Sequence, residues 1–466
     1  MSPNTVPDQS SDLPANPSVE SPCVANQVPQ MPSSIPYIIG NEAAERFSFY
    51  GMRAILMIYM TNYLAMEESE AASLGHLFNS AVYFLPFFGA LLADIFWGKY
   101  RVIITLSFVY CLGHFILAIP GGVTGIDPKT TLIWGLFCIA VGAGGIKSCV
   151  SALVGDQFNK SNQSLIDKVF NWFYLSINFG SFFSMLLTPR LLQCYGPEIA
   201  FGVPGVLMAL ATLFFWLGRK KYVVVQPSGG AFMKELFSQS GLSSLVRIGL
   251  IYLFLIAFWS VYDQNGFLWV SQATHMNAKI LESVSFLPDC IRNHSFLPDQ
   301  IQAVNPLLIL IFVPLFTYVL YPAINRFYDF TLIRKMKWGL ILGCIAALFP
   351  WYFEWSFQKG IVLNMGWQVV AYLFLTAAEV LVSVSALEFA YTQAPRSMKS
   401  LIMSFYLLPI SAGNLFASEI NNLCVNNPAF LPGADYYRFF VILSLGNAAL
   451  FFVVSRFYQE RTILQE

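Results

Sequence analysis

Charge is scarce in this 466-residue chain. Only 11% of its residues are Asp, Glu, Lys or Arg, against 56% hydrophobic ones, and the mean hydropathy is +0.59. A water-soluble domain could not carry that composition without exposing a very large apolar surface, so the chain reads as an integral membrane protein whose first partner is the lipid bilayer. The 26 basic and 26 acidic residues balance, and no basic stripe tracks a phosphate backbone, which excludes nucleic acid as a partner. Paired cysteines are missing too. Eight occur singly, Cys23, Cys111, Cys138, Cys149, Cys194, Cys290, Cys344 and Cys424, with no C-x-x-C pair and no Cys/His spacing suited to zinc; most read as small apolar packing residues. Cys194, Cys290 and Cys424 fall near one membrane face, which leaves a disulfide among them open. No nucleophile–base pair or metal set stands out, so neither an enzyme nor a cofactor is expected.

Residues 1–34 hold no Lys or Arg and are rich in Pro, Ser, Asn and Gln. They lack the cationic start and short apolar core of a secretory signal peptide and read as a disordered cytoplasmic tail. Beyond them, apolar stretches long enough to cross a bilayer recur near 35–64, 72–94, 101–121, 130–154, 168–192 and 197–218. Six more follow near 246–271, 302–326, 337–357, 366–393, 400–424 and 437–457. The fold class expected is all-α integral membrane, with twelve transmembrane helices. A polar break at 219–245 divides them into an N-terminal bundle over 35–218 and a C-terminal bundle over 246–458, followed by a short tail at 459–466. Two six-helix halves joined by a linker are what the major facilitator fold presents.

Cations decide orientation, because loops rich in Lys and Arg stay cytoplasmic. Alternate loops carry Lys99 and Arg101; Lys160 and Lys168; Arg219, Lys220, Lys221 and Lys234; Arg326, Arg334, Lys335 and Lys337; Arg396 and Lys399. The intervening loops hold only Lys129, Arg190, Lys279, Arg292, Lys359 and Arg438. Both termini are therefore expected in the cytoplasm, in a plasma (inner) membrane. In one outside loop the run Ser285-Phe-Leu-Pro-Asp289 recurs as Ser295-Phe-Leu-Pro-Asp299, which reads as a tolerated insertion without a role.

The few charges inside spans carry the chemistry. Glu42, Glu45, Arg46 and Arg53 all fall in the first span. A charge at the bilayer centre costs about 2.5–3.5 kcal/mol even on a mild insertion scale, so such a cluster persists where its members pair or face water inside a bundle. Helical spacing puts Glu42, Arg46, Phe49 or Tyr50, and Arg53 on one stripe with Glu45 beside it. Carboxylates next to a guanidinium suit proton exchange; a static salt bridge locking the helix is the plainer reading. Lys147 lies in the fourth span beside Gly142, Gly144 and Gly145, a glycine run that is no phosphate loop, since no Gly-Lys-Ser/Thr ending follows. Asp263 lies in the seventh span, and Glu379 and Glu388 lie in the tenth. Neither span supplies an internal cation, while the first and fourth offer Arg53 and Lys147, so cross-half ion pairs follow. The segment Gly89-Ala-Leu-Leu-Ala-Asp94-Ile-Phe-Trp-Gly98-Lys99-Tyr100-Arg101 joins close-packing small residues to Asp94 and two loop cations. It resembles the signature loop of the major facilitator superfamily, which latches the inner gate.

Four further passages resemble the proton-dependent oligopeptide transporter (POT) family. They are Glu42-Ala-Ala-Glu45-Arg46-Phe47-Ser-Phe49-Tyr50-Gly51, Gly145-Ile146-Lys147 through Gly155-Asp156-Gln157-Phe158, Phe173-Tyr174-Leu175-Ser176-Ile177-Asn178-Phe179-Gly180-Ser181, and Asn305-Pro306. The tenth span, through Leu387-Glu388-Phe389 to Ala394-Pro395, is similar too. The resemblance implies a symporter that imports di- and tripeptides with protons by alternating access, as a monomer. Glu42, Glu45, Arg46, Lys147 and Asp263 then serve proton coupling. Arg53 binds the peptide carboxylate and pairs with Asp263 as a gate, while Lys147 pairs with Glu388. Glu388, Asn178 and Asn305 hold the peptide amino end, and Tyr50, Tyr83 and Tyr174 line the pocket. A dipeptide zwitterion needs a cation at one end, a carboxylate at the other and amides between, and this set supplies them.

The chain departs from the family pattern at Phe49, where a tyrosine is usual and whose missing hydroxyl bears on selectivity. Ser148 stands where a proline commonly follows the lysine, which should straighten the fourth helix. Asp263 is one methylene shorter than the usual glutamate, which shortens its reach to Arg53. A relative carrying nitrate, histidine or a peptide-like drug, and a non-transporting receptor or scaffold, are the alternatives; a carboxylate at Glu388 favours an amine over an anion.

Overall fold

A computed structural model describes residues 30–119, 125–159, 161–227, 229, 238–282, 288–392 and 404–458. Most of the tail at 1–34 with Cys23, the middle of the 219–245 linker, part of the first repeat copy at 285–289, the Cys290 side chain, the Ala394–Pro395 ending and the tail at 459–466 lie outside the described residues.

Among the described residues twelve helical rods form. The first six are α1 (Ile35–Ile58), α2 (Glu68–Leu92), α3 (Lys99–Ala118), α4 (Pro128–Asp156), α5 (Ile166–Tyr195) and α6 (Pro197–Leu217). The second six are α7 (Gln239–Tyr262), α8 (Val304–Leu315), α9 (Leu332–Gln358), α10 (Gly366–Glu379), α11 (Leu408–Asn426) and α12 (Ala434–Phe457). Eight are long and apolar enough to cross a membrane by length and composition, and α1 with its four charges is not among them. Local chemistry sets the helix starts. Asp127 caps α4, its carboxylate accepting from the Thr130 amide at 3.0 Å, with Pro128 in the first turn. Gly196, at φ +85°, makes the reversal between α5 and α6, a backbone region other residues rarely adopt.

The larger apolar core fills the first half and continues into the second through Phe267, Leu268, Ile420 and Tyr437, and a separate core fills the rest of the second half. In the first half, α1 lies against α5 and α6, α3 against α4 and α6, and α2 against α4. Glycine permits the closest of these approaches: a Cβ added at Gly89 of α2 would fall on the Gly145 carbonyl of α4, and one at Gly142 would come within 2.7 Å of the Tyr110 backbone. α4 runs unbroken past Ser148, whose hydroxyl donates to the Pro86 carbonyl of α2 at 3.1 Å. In the second half α9 packs on α10 and α12, and α7 on α11.

α1 begins and α12 ends on one face of the molecule, here the terminal face; the α1–α2 loop lies on the far face. The halves are joined toward the far face. There Ser73 of α2 donates to Asn422 of α11 at 2.7 Å, Ser80 meets Ser411 at 3.1 Å, and α5 packs on α8. The second copy of the tandem repeat belongs to this seal, which corrects its reading as an insertion without a role. Arg190 of α5 donates to the Ser295 carbonyl at 3.1 Å, and Gln300, next to the copy, donates to the Leu186 carbonyl at 2.8 Å. The hydrogen bonds named between the halves cluster toward the far face, while nearer the terminal face Phe87 and Leu91 of α2 and Ile95 just beyond it pack on the apolar core of the second half. Cys194 and Cys424 are free thiols.

The Gly89–Gly145 contact yields a test. Gly89→Val should destabilise the fold by about 1–3 kcal/mol through overpacking and lower the thermal midpoint in detergent. Gly155→Ala, whose added Cβ meets nothing within 4 Å, should leave the midpoint unchanged or raise it; equal losses in both would refute the packing argument.

Candidate functional site

A cavity of about 240 Å³ lies between the halves, close to the lower end of the roughly 300–1,000 Å³ usual for ligand pockets. Tyr50 and Arg53 of α1, Tyr83 of α2, Lys147 of α4 and Asn178 of α5 form one wall. Trp259, Tyr262 and Asp263, then Gln302, Asn305, Glu379 and Tyr406, form the other. Both cations therefore sit on the first half and both carboxylates on the second.

Arg53 Nη2 donates to Asp263 Oδ1 at 2.9 Å, so the shorter side chain does reach across. α7 gives way there to a tight turn over Asp263–Gly266. Its Asp-Gln-Asn-Gly sequence is poor in helix formers, and Gly266 leaves room for the guanidinium, since a Cβ there would stand 2.9 Å from Arg53 Nη2. The far side of Asp263 is held as well: Asn414 Nδ2 donates to its Oδ2 at 2.7 Å, and His76 Nδ1 lies 2.9 Å from Asn414 Oδ1. The pair is buried, with side chains 9% and 4% exposed, so each charge depends on these partners for its solvation.

Deeper toward the terminal face, the α1 cluster closes on itself. Arg46 Nε stands 2.9 Å from Glu42 Oε1 and 2.6 Å from Glu45 Oε2, all three side chains buried. None of them lines the cavity. Lys147 lies between this cluster and the Arg53–Asp263 pair, within electrostatic reach of Glu42, Glu45 and Asp263. Its ammonium rests 3.9 Å from the centroid of the Tyr83 ring, and among the described residues it forms no ion pair.

The carboxylate of the tenth span that faces the cavity is Glu379, not Glu388. Glu379 Oε2 accepts from Asn305 Nδ2 at 2.8 Å, while Glu388 is exposed and outside the cavity. Between the two acids the helix widens into a turn over Val380–Val384, beyond which Glu388 lies on the outer side while Glu379 faces inward. Lys147 consequently has no ion pair with Glu388. Tyr174 is also displaced: it is 39% exposed and outside the cavity, one turn nearer the terminal face than Asn178, whose side-chain amide it holds through its carbonyl at 2.9 Å. Phe49 packs on Tyr50 and Phe78 rather than on the cavity, so its missing hydroxyl does not bear on the pocket. Asp94 lies in a turn of wide helix, Ala93–Trp97, at the terminal end of α2, where Lys99 pairs with Asp156 at 2.6 Å. Sequence reasoning missed Gln302, which donates across the halves to the Ala54 carbonyl at 2.9 Å, and the Asn414–His76 chain. A lone amide in an apolar span was the available signal.

A family model described as POT family matches residues 100–243 and 235–437. The chain is 38% identical over 364 residues to human solute carrier family 15 member 2, covering 68% of this chain and 48% of that protein. It is 37% identical over 358 residues to peptide transporter family 1 of Drosophila melanogaster, covering 68% and 46%. The chain thus spans about half the length of these curated relatives. Among solved structures, an auto-inhibited POT family peptide transporter superposes with a TM-score of 0.83 at 33% identity, over 93% of this chain and 99% of that one. The POT family transporter PepTSo gives 0.81 at 34% identity, over 92% and 99%. With matches of this extent in both sequence and fold, the chain belongs to the POT family.

Proposed function

We propose that the chain imports di- and tripeptides together with protons, by alternating access of the cavity to the two faces of the membrane. The observation that carries this reading is the division of charge across the cavity: Arg53 and Lys147 on one wall, Asp263 and Glu379 on the other, with Asn178, Asn305 and Gln302 between. A small peptide is a zwitterion with amides in its middle. Arg53 takes the peptide carboxylate, which competes with Asp263 for the guanidinium, and Glu379, steadied by Asn305, takes the amino group. An anion such as nitrate would meet Glu379 as a repulsive neighbour.

Proton coupling rests on the Glu42–Arg46–Glu45 cluster and Lys147. A proton arriving on Glu45 removes one of Arg46's two partners and alters the field at Lys147, which links the inner cluster to the gate residues above it. The cavity is complete within one chain, which suits a monomer. The termini and the cation-rich loops share a face, which suits termini in the cytoplasm of a plasma (inner) membrane. One charge moving through 100 mV releases about 2.3 kcal/mol, enough to hold roughly a fifty-fold gradient of a neutral zwitterion.

Uptake of a labelled dipeptide into proteoliposomes, with an inside-negative potential and an inward proton gradient, tests the reading directly; no uptake above empty vesicles across several dipeptides would defeat it. Glu379→Gln should weaken binding of free-amine dipeptides by roughly ten- to a hundred-fold and that of N-acetylated ones much less. Glu388→Gln should change neither, and the reverse pattern would restore Glu388 as the amine site. Glu45→Gln or Lys147→Ala should abolish gradient-driven accumulation while sparing counterflow exchange, and normal accumulation in either variant would remove that residue from proton coupling.

A further inference from the structure

Lys337 and Arg456 converge on one aromatic ring. Lys337 lies in the second turn of α9 and Arg456 in the last turn of α12, both at the terminal face, and their charged groups stand 5.0 and 4.7 Å from the centroid of the Phe452 ring. Arg334, one turn before Lys337, adds a third positive charge, and the fields of Arg334 and Arg456 both act on Lys337. Such a cluster repels itself. Arg334 has Asp329 at 3.9 Å, itself 83% exposed. Among the described residues neither Lys337 nor Arg456 has a carboxylate within ion-pair distance. The chain as a whole is neutral, so the excess is local.

The surroundings place the cluster at the lipid boundary. Phe452, Trp338 and Phe457 are all exposed on the outside of the bundle beside the two cations, and in a membrane protein such rings face acyl chains. Exposed rings with cations at their edge match the level where headgroups meet hydrocarbon. We infer that Lys337, Phe452 and Arg456 bind the phosphate of an anionic phospholipid in the leaflet at the terminal face. A phosphate seated between the ammonium and the guanidinium relieves their repulsion and gains two charge-assisted contacts, while the acyl chains lie along Phe452 and Trp338. Retaining positive charge on one side of the membrane would need only scattered cations; it would not need two of them, from helices far apart in sequence, on one ring.

The test reconstitutes the full chain in nanodiscs of phosphatidylcholine with a minor share of phosphatidylglycerol and counts retained lipid by native mass spectrometry. The unaltered protein should retain phosphatidylglycerol in preference to phosphatidylcholine. The double variant Lys337→Gln/Arg456→Gln should retain on the order of tenfold less of it. Lys359→Gln, at the far end of α9 where the lysine stacks on Trp355, should retain the normal amount. Equal retention of the two lipids by the unaltered protein, or undiminished phosphatidylglycerol in the double variant, would overturn the site, and displacement of the lipid by inorganic phosphate alone would reassign it to a free anion. If the double variant does not fold, Lys337→Gln alone carries the same comparison.

Discussion

A guanidinium buried between two helical bundles must always have a partner. Arg53 and Asp263 hold the halves together at the far side of the cavity, 210 residues apart in the chain and 2.9 Å apart in space. Removing one member of such a pair costs about 3–5 kcal/mol, because the survivor is left charged and dry. An exchange of partners costs far less than a loss. Under the proposed function, a substrate carboxylate that took Arg53 would leave Asp263 to Asn414, which already donates to it at 2.7 Å. On that proposal the pair would separate without stranding either charge, and the surroundings suit it: a second donor for Asp263, a glycine at 266 to admit the guanidinium, and a cavity beside both.

The same constraint explains why the two walls carry opposite charge. Had Lys147 faced its own carboxylate at salt-bridge distance, the cavity would have been locked by a second tie and closed to a zwitterion. Instead the ammonium rests on Tyr83, a contact worth roughly 0.5–2 kcal/mol, which holds it in place and gives way to a stronger partner. Glu379 is likewise steadied by a neutral amide of Asn305. Weakly held charges on opposing walls suit a binding site, whereas the Glu42–Arg46–Glu45 cluster is closely paired, and on the proposed function it is the part a proton would loosen.

Much of this was legible before any coordinates, because burying charge in an apolar span is so costly that each ionisable residue there announces itself. The fold followed from the run lengths of apolar residues; cross-half ion pairs followed from the lack of an internal cation beside Asp263, and the choice of Arg53 as its partner from the family resemblance. Glu379 and Glu388 show where that logic stops. Both are acids in one span, both could answer a cation, and the family resemblance pointed at the one beside a familiar-looking Leu-Glu-Phe. Which of them faces inward depends on helix rotation, which is set by packing against α8 and α9 rather than by local composition. Tyr174 failed for a related reason, since a residue can share a face with Asn178 and still lie beyond the point where the halves part. Gln302, Asn414 and His76 are neutral, so the energetic alarm that marks a buried charge never sounded for them.

The irregular turns tie these positions to motion. α1 and α7, the first helices of the two halves, each run 24 residues before regular winding fails, α1 into the wide turn Tyr59–Tyr63 and α7 into the tight turn Asp263–Gly266. α2 and α8, the second helices, each end toward the terminal face in a wide turn, Ala93–Trp97 and Phe316–Leu320. These two pairs of helices are thus broken at matching ends, whereas the wide turn Val380–Val384 after α10 has no counterpart in the unbroken α4. Irregular backbone at membrane depth is tolerated only where protein or a wet cavity satisfies the freed polar groups, and the Asp263–Gly266 turn meets that condition beside the cavity. The ties that resist bending on the far face are mostly neutral hydrogen bonds, such as Ser73–Asn422, Ser80–Ser411 and Gln302–Ala54, each worth about 1 kcal/mol net. On the proposed function, one exchangeable ion pair plus several such bonds makes a seal that substrate binding and a proton would outweigh more readily than one with a second buried ion pair.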